Sequence, residues 1–421
     1  MRFAYNLLTY LLLLPYALYW CLRGIGNRSY WHKLPERFGL AYRRLDGCIW
    51  VHAVSVGEVV AATPLIRALM QAYPDRQLLV TTVTPTGAAR VETSFGDSVE
   101  HSYIPFETPD SINRFFAAKK PAIAMIMETE IWPNLYHGCG IRGIPLVLIS
   151  ARISPRSVNS YRKLLPLFRE TLSHGIVIAA QTKADAERFL SLGAAVERTR
   201  VTGNIKFDIE LPASINSDGR DLREAHFPGR PVWIAASTHE GEEALVLDAH
   251  RRVLDTVADA LLILVPRHPQ RFAGVRELVL KRGFDVISRT ENRAVPPGCA
   301  VLLGDTMGEV PLFYAAADVA FVGGSLVPIG GHNLLEPAAV SVAMLAGPHN
   351  FNAQEIADLF VRSGACRLVD SSDELAAEVV ALFADDARRE RMVTEAAAIL
   401  ANNRGALARL LEMIKPLVAD A

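Results

Sequence analysis

Four charged side chains stand where apolar runs give way to loops in the first half of the sequence: Glu58, Glu128, Glu130 and Lys206. A carboxylate at such a position can take a proton from a hydroxyl if its pKa lies near the working pH. A nearby lysine could neutralise a phosphate or carboxylate of a ligand. Each residue also has an ordinary explanation, since Glu58 could complement a helix dipole and the others could be solvated loop residues. The pattern indicates a candidate general base, and spacing alone leaves both explanations open.

The second half of the sequence carries three segments suited to a phosphorylated ligand. Arg267 and His268 close an apolar run and offer hydrogen-bond donors to a phosphate. Residues 304–310 form a loop whose backbone amides lead into a helix, a favourable place for an anion. In the glycine-rich segment that follows, Asn333 is expected to cap a short helix and Glu336 to accept from ribose hydroxyls. Glycine clusters also form ordinary turns, but three such segments on successive loops predict a nucleotide site.

Short apolar runs alternate with helical patterns, and this alternation must position the charged residues. The predicted strands are 48–54, 77–84, 122–127, 145–150, 175–181, 232–237, 260–266, 285–288, 300–303, 318–322 and 342–347. Helices are predicted near 58–72, 109–118, 155–171, 183–192, 240–256, 270–282, 353–362 and 373–384. Strands that alternate with helices form mostly parallel sheets. The expected fold class is α/β, with two doubly wound, Rossmann-like domains that face a cleft and bind ligands at the carboxyl ends of their strands.

The domain boundaries follow from where this alternation lapses. We assign residues 1–22 to a membrane anchor helix and 23–209 to an acceptor-binding domain. Residues 210–230 contain many turn-forming residues and are predicted to be a linker. Residues 231–421 form the nucleotide-binding domain, and its long C-terminal helical stretch is expected to pack back on the first domain.

An uncharged run at residues 3–22 is long enough for a helix that crosses a bilayer. Aromatic residues near its end resemble an interfacial belt, and the basic residues that follow predict that the downstream domains face the cytoplasm. A cleavable signal peptide is disfavoured because no small-x-small site closes the run. Asn6, Thr9 and Pro15 interrupt the run, so a helix that lies in one leaflet is the alternative to a spanning helix.

The composition argues against several other classes of protein. Lys and Arg total 44 against 45 Asp and Glu, and this net charge of −1 gives no general attraction for nucleic acid. Five widely spaced cysteines without a C-x-x-C pair indicate neither a disulfide framework nor zinc. The G-x-G-x-x-G segment at 138–143 follows a helical pattern rather than a strand, so we assign it to a helix end and turn. Because no Asp-x-Asp motif occurs, neither a metal ion nor another cofactor is expected.

Taken together, these motifs resemble the family of transferases that move 3-deoxy-D-manno-octulosonic acid (Kdo) from CMP-Kdo to the lipid A precursor of lipopolysaccharide. The similar segments are the N-terminal anchor, 36–39, 55–58, 128–134, 150–154, 203–206, 266–268, 308–310 and 332–336. They cover nearly the whole chain and show no departure from the family's pattern. The residues alone predict a nucleotide-sugar transferase of the GT-B type, and only the resemblance specifies Kdo.

The resemblance also implies roles for individual residues. Glu58 would be the general base of an inverting transfer to lipid IVA, with Glu128 and Lys206 as stabilisers of the transition state. The CMP site would consist of Arg267, His268, Gly308, Glu309, Val310, Asn333, Leu334, Leu335 and Glu336. The implied location is the cytoplasmic face of the inner membrane. Two alternatives stay open, namely a GT-B transferase that uses a UDP-sugar and an inactive, membrane-tethered nucleotide-binding scaffold.

Overall fold

The computed structural model describes residues 1–419, which form two compact units. The first comprises Met1–Asp208 and the end of the chain from Asn403, and the second comprises Ile209–Asn402. Residues 420 and 421, the end of the predicted second domain, lie outside the described residues.

Each unit contains a seven-stranded sheet in which all neighbouring strands are parallel. The strands of the first unit are β1 Cys48–His52, β2 Leu78–Thr82, β3 Glu100–Tyr103, β4 Pro121–Met127, β5 Leu146–Ala151, β6 Val177–Ala180 and β7 Thr199–Val201. Those of the second are β8 Val232–Thr238, β9 Leu261–Pro266, β10 Val286–Ser288, β11 Val301–Leu303, β12 Val319–Val322, β13 Ala343–Ala346 and β14 Cys366–Leu368. The orders are β3-β2-β1-β4-β5-β6-β7 and β10-β11-β9-β8-β12-β13-β14. Chain order therefore reverses between β1 and β4 in one sheet and between β8 and β12 in the other.

Helices connect these strands, as the predicted alternation requires. The first unit contains α1 Arg2–Gly26, α2 Val56–Ala72, α3 Pro85–Phe95, α4 Pro109–Lys119, α5 Pro133–Gly140, α6 Pro155–Arg162, α7 Leu165–Leu172 and α8 Lys183–Ser191. The second contains α9 Ile215–His226, α10 Glu242–Thr256, α11 Phe272–Lys281, α12 Val310–Ala315, α13 Leu335–Ala339, α14 Gln354–Arg362, α15 Ser372–Ala384 and α16 Asp386–Asn403. The last helix, α17 Ala406–Ala419, belongs to the first unit. Two doubly wound α/β units are thus confirmed.

Hydroxyl side chains cap five helices of the first unit. The side chain at the N-cap accepts a hydrogen bond from a backbone amide of the first turn at Ser55, Thr84, Thr108, Ser154 and Thr182. The single helix predicted over 155–171 is two helices, α6 and α7, and Pro166 stands in the first turn of the second. A proline is favourable there because the amide it lacks would have no partner inside the helix.

The segment predicted as a linker contains a helix of the second unit. In α9, Gly219 packs so closely that a Cβ atom there would lie 2.5 Å from the Cβ of Ala315. Arg223 donates to both carboxylate oxygens of Asp318 at 2.8 and 2.9 Å. The assignment of 215–226 to a linker was therefore wrong. The small and polar residues that resembled a loop serve a close helix contact instead.

Helix α17 completes one face of the first sheet. Its buried side chains, Ala406, Leu410, Ile414 and Val418, join a core with residues of β1, β2, β4 and β5. The carboxylate of Asp208 accepts from the amides of Gly405 and Leu407 at 2.5 and 2.6 Å and so caps the start of the helix.

Helix α1 also belongs to the first unit and continues past residue 22 to Gly26. Within residues 1–419 it is the one helix that is long and apolar enough to cross a membrane.

Candidate active site

Glu58 lies at the carboxyl end of β1, in the first turn of α2. Ser55 caps this helix and accepts the amide of Glu58 at 3.5 Å, while Glu58 Oε2 accepts the amide of Val54 at 2.7 Å. β1 borders the point where strand order reverses, and doubly wound sheets bind their ligands at such points. The backbone amide of Val54 therefore orients the carboxylate of Glu58 through Oε2. The other oxygen, Oε1, keeps capacity for a further hydrogen bond.

The environment of Glu58 shifts its proton affinity toward neutrality. Burial raises the pKa of Glu58 to about 7, and the negative charges of Glu128 and Glu130 add to this effect. The amide of Val54 and the charge of Lys206 partly oppose the rise. A carboxyl group that titrates near neutral pH can accept a proton from a hydroxyl and later release it to water.

Glu128 follows β4, on the other side of the same switch point, and pairs with two basic side chains. Its Oε1 lies 2.5 Å from Lys206 Nζ, and its Oε2 lies 3.0 Å from Arg152 Nε. Burial alone would raise the pKa of Glu128, but the charges and hydrogen bonds of Lys206 and Arg152 outweigh it and lower the pKa overall. Glu128 is therefore ionised at neutral pH. Its positive φ of 54° is a strained conformation of the kind that concentrates at functional sites.

A chain of polar contacts holds Lys206 beside Glu128. The hydroxyl of Ser150 accepts the amide of Ile205 at 3.2 Å, and the carbonyl of Ser150 accepts from Gln181 Nε2 at 2.9 Å. Asn204 Nδ2 donates to Gln181 Oε1 at 3.2 Å, and Asn204 Oδ1 accepts the amide of Lys206 at 3.0 Å. The end of β5 and the loops that follow β6 and β7 thus position one ammonium group.

The third predicted carboxylate of this unit, Glu130, is engaged by an indole. Trp132 Nε1 donates to Glu130 Oε2 at 2.6 Å. Burial raises the pKa of Glu130, and the charge of Glu128 adds to the rise although the indole opposes it. Glu130 lies close enough to raise the pKa of Glu58, so its contribution is to the electrostatics of the site.

In the second unit, Arg267 and His268 follow β9, the neighbour of β8. The amide of Arg267 donates to the carbonyl of Thr238 at the end of β8 at 3.0 Å. Burial raises the pKa of Glu336, and the positive charge of Arg267 opposes that rise. Arg267 also contributes to the lowered pKa of His332, whose main cause is burial. The exposed guanidinium therefore lies within electrostatic reach of the predicted ribose-binding carboxylate.

Two histidines at this position share a hydrogen bond, and neither is among the predicted site residues. The Nε2 atoms of His239 and His332 are 2.9 Å apart, and their rings are stacked with centroids at 5.1 Å. His268 meets His239 edge-on at 5.3 Å. Burial lowers the pKa of His332 to about 3 and also lowers that of His239, so both rings are neutral at pH 7. His239 stands two residues after the end of predicted strand 232–237, and this position could have indicated a site residue.

The glycine-rich loop after β12 is occupied by a carboxylate of the protein itself. Glu242 is fully buried and accepts from the amides of Gly324, Ser325 and Leu326 at 2.7, 3.0 and 2.9 Å. Successive amides in such a loop would otherwise suit an anion. Here they hold the loop onto the start of α10, so these three amides are already used by the protein itself.

The predicted segment 308–310 lies at the start of α12. Gly308 has a φ of 84°, and the side chain of Glu309 pairs with Arg289 at 3.0 Å and accepts from the hydroxyl of Thr306. α12 packs against α13, which carries Glu336. The carboxylate of Glu309 is therefore already paired within the protein. The backbone is the part of this segment that is available to a ligand.

Residues 333–336 include two side chains suited to a ligand and two that are buried. The N-cap of this helix is Leu334, so the expectation that Asn333 caps it was wrong by one position. Asn333 Oδ1 instead accepts the amide of Leu335 from just before the cap, at 3.1 Å, and its Nδ2 donates to Glu336 Oε1 at 3.3 Å. Leu334 and Leu335 are each 2% exposed. Their side chains therefore support the loop, while Asn333 and Glu336 carry its polar groups.

Among the described residues, one group has the spacing of a metal site. The ligand atoms of His137, Glu170 and His174 lie within 4.8 Å of one another. This group lies between α5 and the end of α7, and Arg2 Nη1 is paired with Glu170 Oε1 at 3.1 Å. A guanidinium already neutralises the one anionic ligand, and none of the predicted site residues belongs to the group.

Comparisons with known proteins support the family that the motifs resemble. Residues 32–209 match the sequence model of the 3-deoxy-D-manno-octulosonic-acid transferase (kdotransferase) family. A 3-deoxy-D-manno-octulosonic acid transferase of Haemophilus influenzae is 42% identical over 99% of this chain and 98% of its own length. One from Bordetella pertussis is 37% identical, and the match covers 90% of this chain and 91% of that protein.

A solved structure shows that the fold extends beyond this family. The HepE protein of Anabaena, solved with UDP, is 17% identical and has a TM-score of 0.54. The likeness covers 88% of this chain and 100% of that one. At this identity the similarity is evidence for the fold alone.

Proposed function

This chain belongs to the family of 3-deoxy-D-manno-octulosonic acid transferases, and we propose that it moves this sugar acid from CMP-Kdo to lipid IVA with inversion. The observation that carries the proposal is the carboxyl group of Glu58, whose pKa is raised to about 7 beside an ionised Glu128 and Lys206. In the reaction the acceptor oxygen would lose its proton to Glu58 and bond to the anomeric carbon. The bond from that carbon to the phosphate oxygen would break, and CMP would leave.

Electrostatic stabilisation is the proposed role of Lys206. The transition state of sugar transfer resembles an oxocarbenium ion, and negative charge builds on the leaving phosphate. Lys206 offers an ammonium group that polar contacts position before substrate binds. Glu128 would orient this group and add negative charge that favours the cationic sugar.

The second unit would hold the donor nucleotide. Arg267 and His268 provide donors for the single phosphate of CMP, and the Asn333–Glu336 pair provides acceptors for the ribose hydroxyls. The neutral His239–His332 pair can donate one hydrogen bond to an oxygen of the donor without adding a second full charge. We further propose that the enzyme works at the cytoplasmic face of the inner membrane, where α1 would hold it beside a lipid acceptor.

A direct assay tests the proposed function. The full-length protein in detergent is incubated with CMP-Kdo or a UDP-sugar and with lipid IVA, and the products are resolved by mass spectrometry. We expect Kdo-modified lipid and CMP from the first donor only. Product from the UDP-sugar alone would contradict the proposed donor, and no turnover with any donor would support an inactive scaffold.

The pH dependence follows from the raised pKa of Glu58. A base must be ionised to act, so kcat/KM should fall tenfold for each pH unit below about 7. CMP affinity, measured by calorimetry over the same range, separates this effect from loss of donor binding. A kcat/KM that stays flat between pH 5.5 and 7.5 would contradict the role of Glu58 as base.

Removing the guanidinium of Arg267 should weaken donor binding. Arg267→Ala is expected to lower CMP affinity by ~1.5–3 kcal/mol, about 10- to 150-fold, because a charge-assisted hydrogen bond to phosphate is lost. Calorimetry with CMP measures this change. The matched control is Arg276→Ala, an exposed arginine on α11 of the same unit. Equal affinities of the two variants would show that the phosphate lies elsewhere.

A further inference from the structure

Helix α1 lies lengthwise along the first unit. Near its start, Arg2 Nη1 pairs with Glu170 Oε1 at 3.1 Å, and Glu170 belongs to α7. Near its end, the ring of Trp20 lies 3.7 Å from the guanidinium carbon of Arg37. The helix spans ~27 Å between these two contacts at 1.5 Å per residue. Both of its ends are therefore held by the same folded unit.

Further contacts fill the distance between the two ends. The hydroxyl of Tyr5 donates to the buried carboxyl of Glu107, and that of Tyr10 donates to Asp110 Oδ2 at 2.6 Å. The ring of Tyr16 stacks on Phe106 with centroids at 4.2 Å. The docked face of α1 thus carries its polar and aromatic side chains.

The opposite face of α1 is an apolar stripe open to solvent. Seven side chains at helical spacing are 54–84% exposed: Phe3, Leu7, Leu11, Leu14, Leu18, Leu22 and Ile25. A helix surrounded by lipid is expected to be apolar on all sides, whereas the docked side of this one mixes the polar Asn6 and Thr9 with apolar residues. The division between the two faces runs along the whole helix, which is the pattern of a helix at an interface.

A spanning orientation conflicts with the partners of the docked face. If α1 crossed the bilayer, Arg2 and Trp20 would approach opposite interfaces, because their separation is close to the hydrocarbon thickness of about 30 Å. The charged partners Glu107, Asp110 and Glu170 would then have to enter the hydrocarbon or give up their contacts. Charged groups are rarely found at that depth.

We propose that α1 is an in-plane anchor whose apolar stripe enters the boundary between headgroups and acyl chains of an anionic leaflet. The charge of the chain that follows fits this partner, because five exposed basic side chains lie within a short distance along the sequence: Arg23, Arg28, Lys33, Arg43 and Arg44. The inference rests on the proposal that the enzyme works at a membrane and specifies how it is held there. It places the first unit flat on one leaflet, with no part of α1 on the far side.

Depth measurements on the full-length protein test this orientation. Nitroxide labels are attached to single cysteines introduced by Phe3→Cys, Leu11→Cys or Leu22→Cys in a Cys21→Ser background, since the other four cysteines are buried. The protein is bound to vesicles of 70% phosphatidylcholine and 30% phosphatidylglycerol. Collision with oxygen and with a water-soluble nickel complex reports the depth of each label.

We expect the three labels to lie at similar shallow depths, about 5–10 Å below the headgroups, and all to be reduced by ascorbate added outside the vesicles. A Leu11 label at the bilayer centre, or a Phe3 label that only ascorbate inside the vesicles reduces, would overturn the proposal in favour of a spanning helix. Strong spin–spin broadening between copies, with no lipid contact, would also overturn it, since a second copy would then cover the stripe.

A binding experiment provides a second, independent measurement. Leu11→Lys combined with Leu14→Lys places two charges on the stripe and none on the docked face, so sedimentation with the same vesicles should fall at least tenfold. Leu280→Lys, on an exposed apolar residue of α11, is the control and should sediment as the original protein does. Activity in detergent should be unchanged in both variants. Unchanged vesicle binding of the double variant would overturn the proposal, whereas lack of activity in every protein would contradict only the transferase function.

Discussion

Glu58→Gln is expected to lower kcat by roughly 10²-fold or more while CMP binding stays intact. The amide of glutamine can still accept the hydrogen bond from Val54, so the start of α2 should be preserved. What is lost is the group that accepts a proton from the acceptor hydroxyl. Steady-state kinetics with CMP-Kdo and lipid IVA, together with CMP calorimetry, measure the two effects separately.

Thermal unfolding distinguishes this loss from a folding defect. Burial raises the pKa of Glu58 above its value in the unfolded chain, so the stability it contributes is present below pH ~4.5 and is lost as pH rises through about 7. At pH 8 the glutamine variant should therefore be at least as stable as the original protein. The matched control is Glu92→Gln, at an exposed residue of α3 in the same unit, and this variant should keep full activity. Near-normal turnover of Glu58→Gln would remove Glu58 from the role of base and direct attention to Glu128.

Lys206→Met is expected to lower kcat by about 10²–10³-fold, the usual effect of removing one positioned donor from a developing negative charge. Methionine is unbranched and one heavy atom shorter than lysine, so the change removes the ammonium charge and its hydrogen bond to Glu128 with little change in shape. Arg152 still pairs with Glu128 and should keep that carboxylate ionised. The acid limb of the pH profile of kcat/KM should then move to higher pH, because Lys206 lowers the pKa of Glu58 in the original protein.

A shift of the acid limb separates an electrostatic role from a structural one. Lys183→Met, at the exposed start of α8, is the control and should leave both kcat and the pH profile unchanged. Lys206→Arg should recover part of the activity and return the acid limb toward its original position. A variant that lost activity with no change in the pH profile would indicate that Lys206 only supports the fold of its loop.

The sequence predicts the central strands well because they are buried on both faces and therefore read as apolar runs. It does not predict β3, β7 or β14, which are short strands at or beside a sheet edge. Each of them contains a charged residue, namely Glu100, Arg200 or Arg367. Such strands are fixed by pairing with a neighbour rather than by local hydrophobicity. The alternation still predicted the doubly wound class, because the missed strands do not change the switch points.

Candidate site residues were predictable where they follow a recognisable strand, and Glu58, Glu128 and Arg267 all do. The interactions that tune them were not. Arg152 approaches Glu128 across 24 positions of sequence, and Glu242 binds a loop 82–84 positions away. The spacing of residues along the chain does not indicate such long-range contacts. The occupation of the glycine loop by Glu242 also shows that a favourable anion motif can be used by the protein itself.

The return of α17 to the first unit has a consequence for biosynthesis. Leu410 and Ile414 fill a core whose members outside α17 all precede residue 210, and the carboxylate of Asp208 accepts from the amides of Gly405 and Leu407. A ribosome that adds ~5–20 residues per second needs about 10–40 s to make the intervening chain. During that time the nascent first unit leaves exposed the apolar surface that α17 later covers. The last helix thus sets the moment at which the enzyme can complete its fold, and a ribosome that stalls before Leu410 leaves a chain that chaperones or proteases must handle.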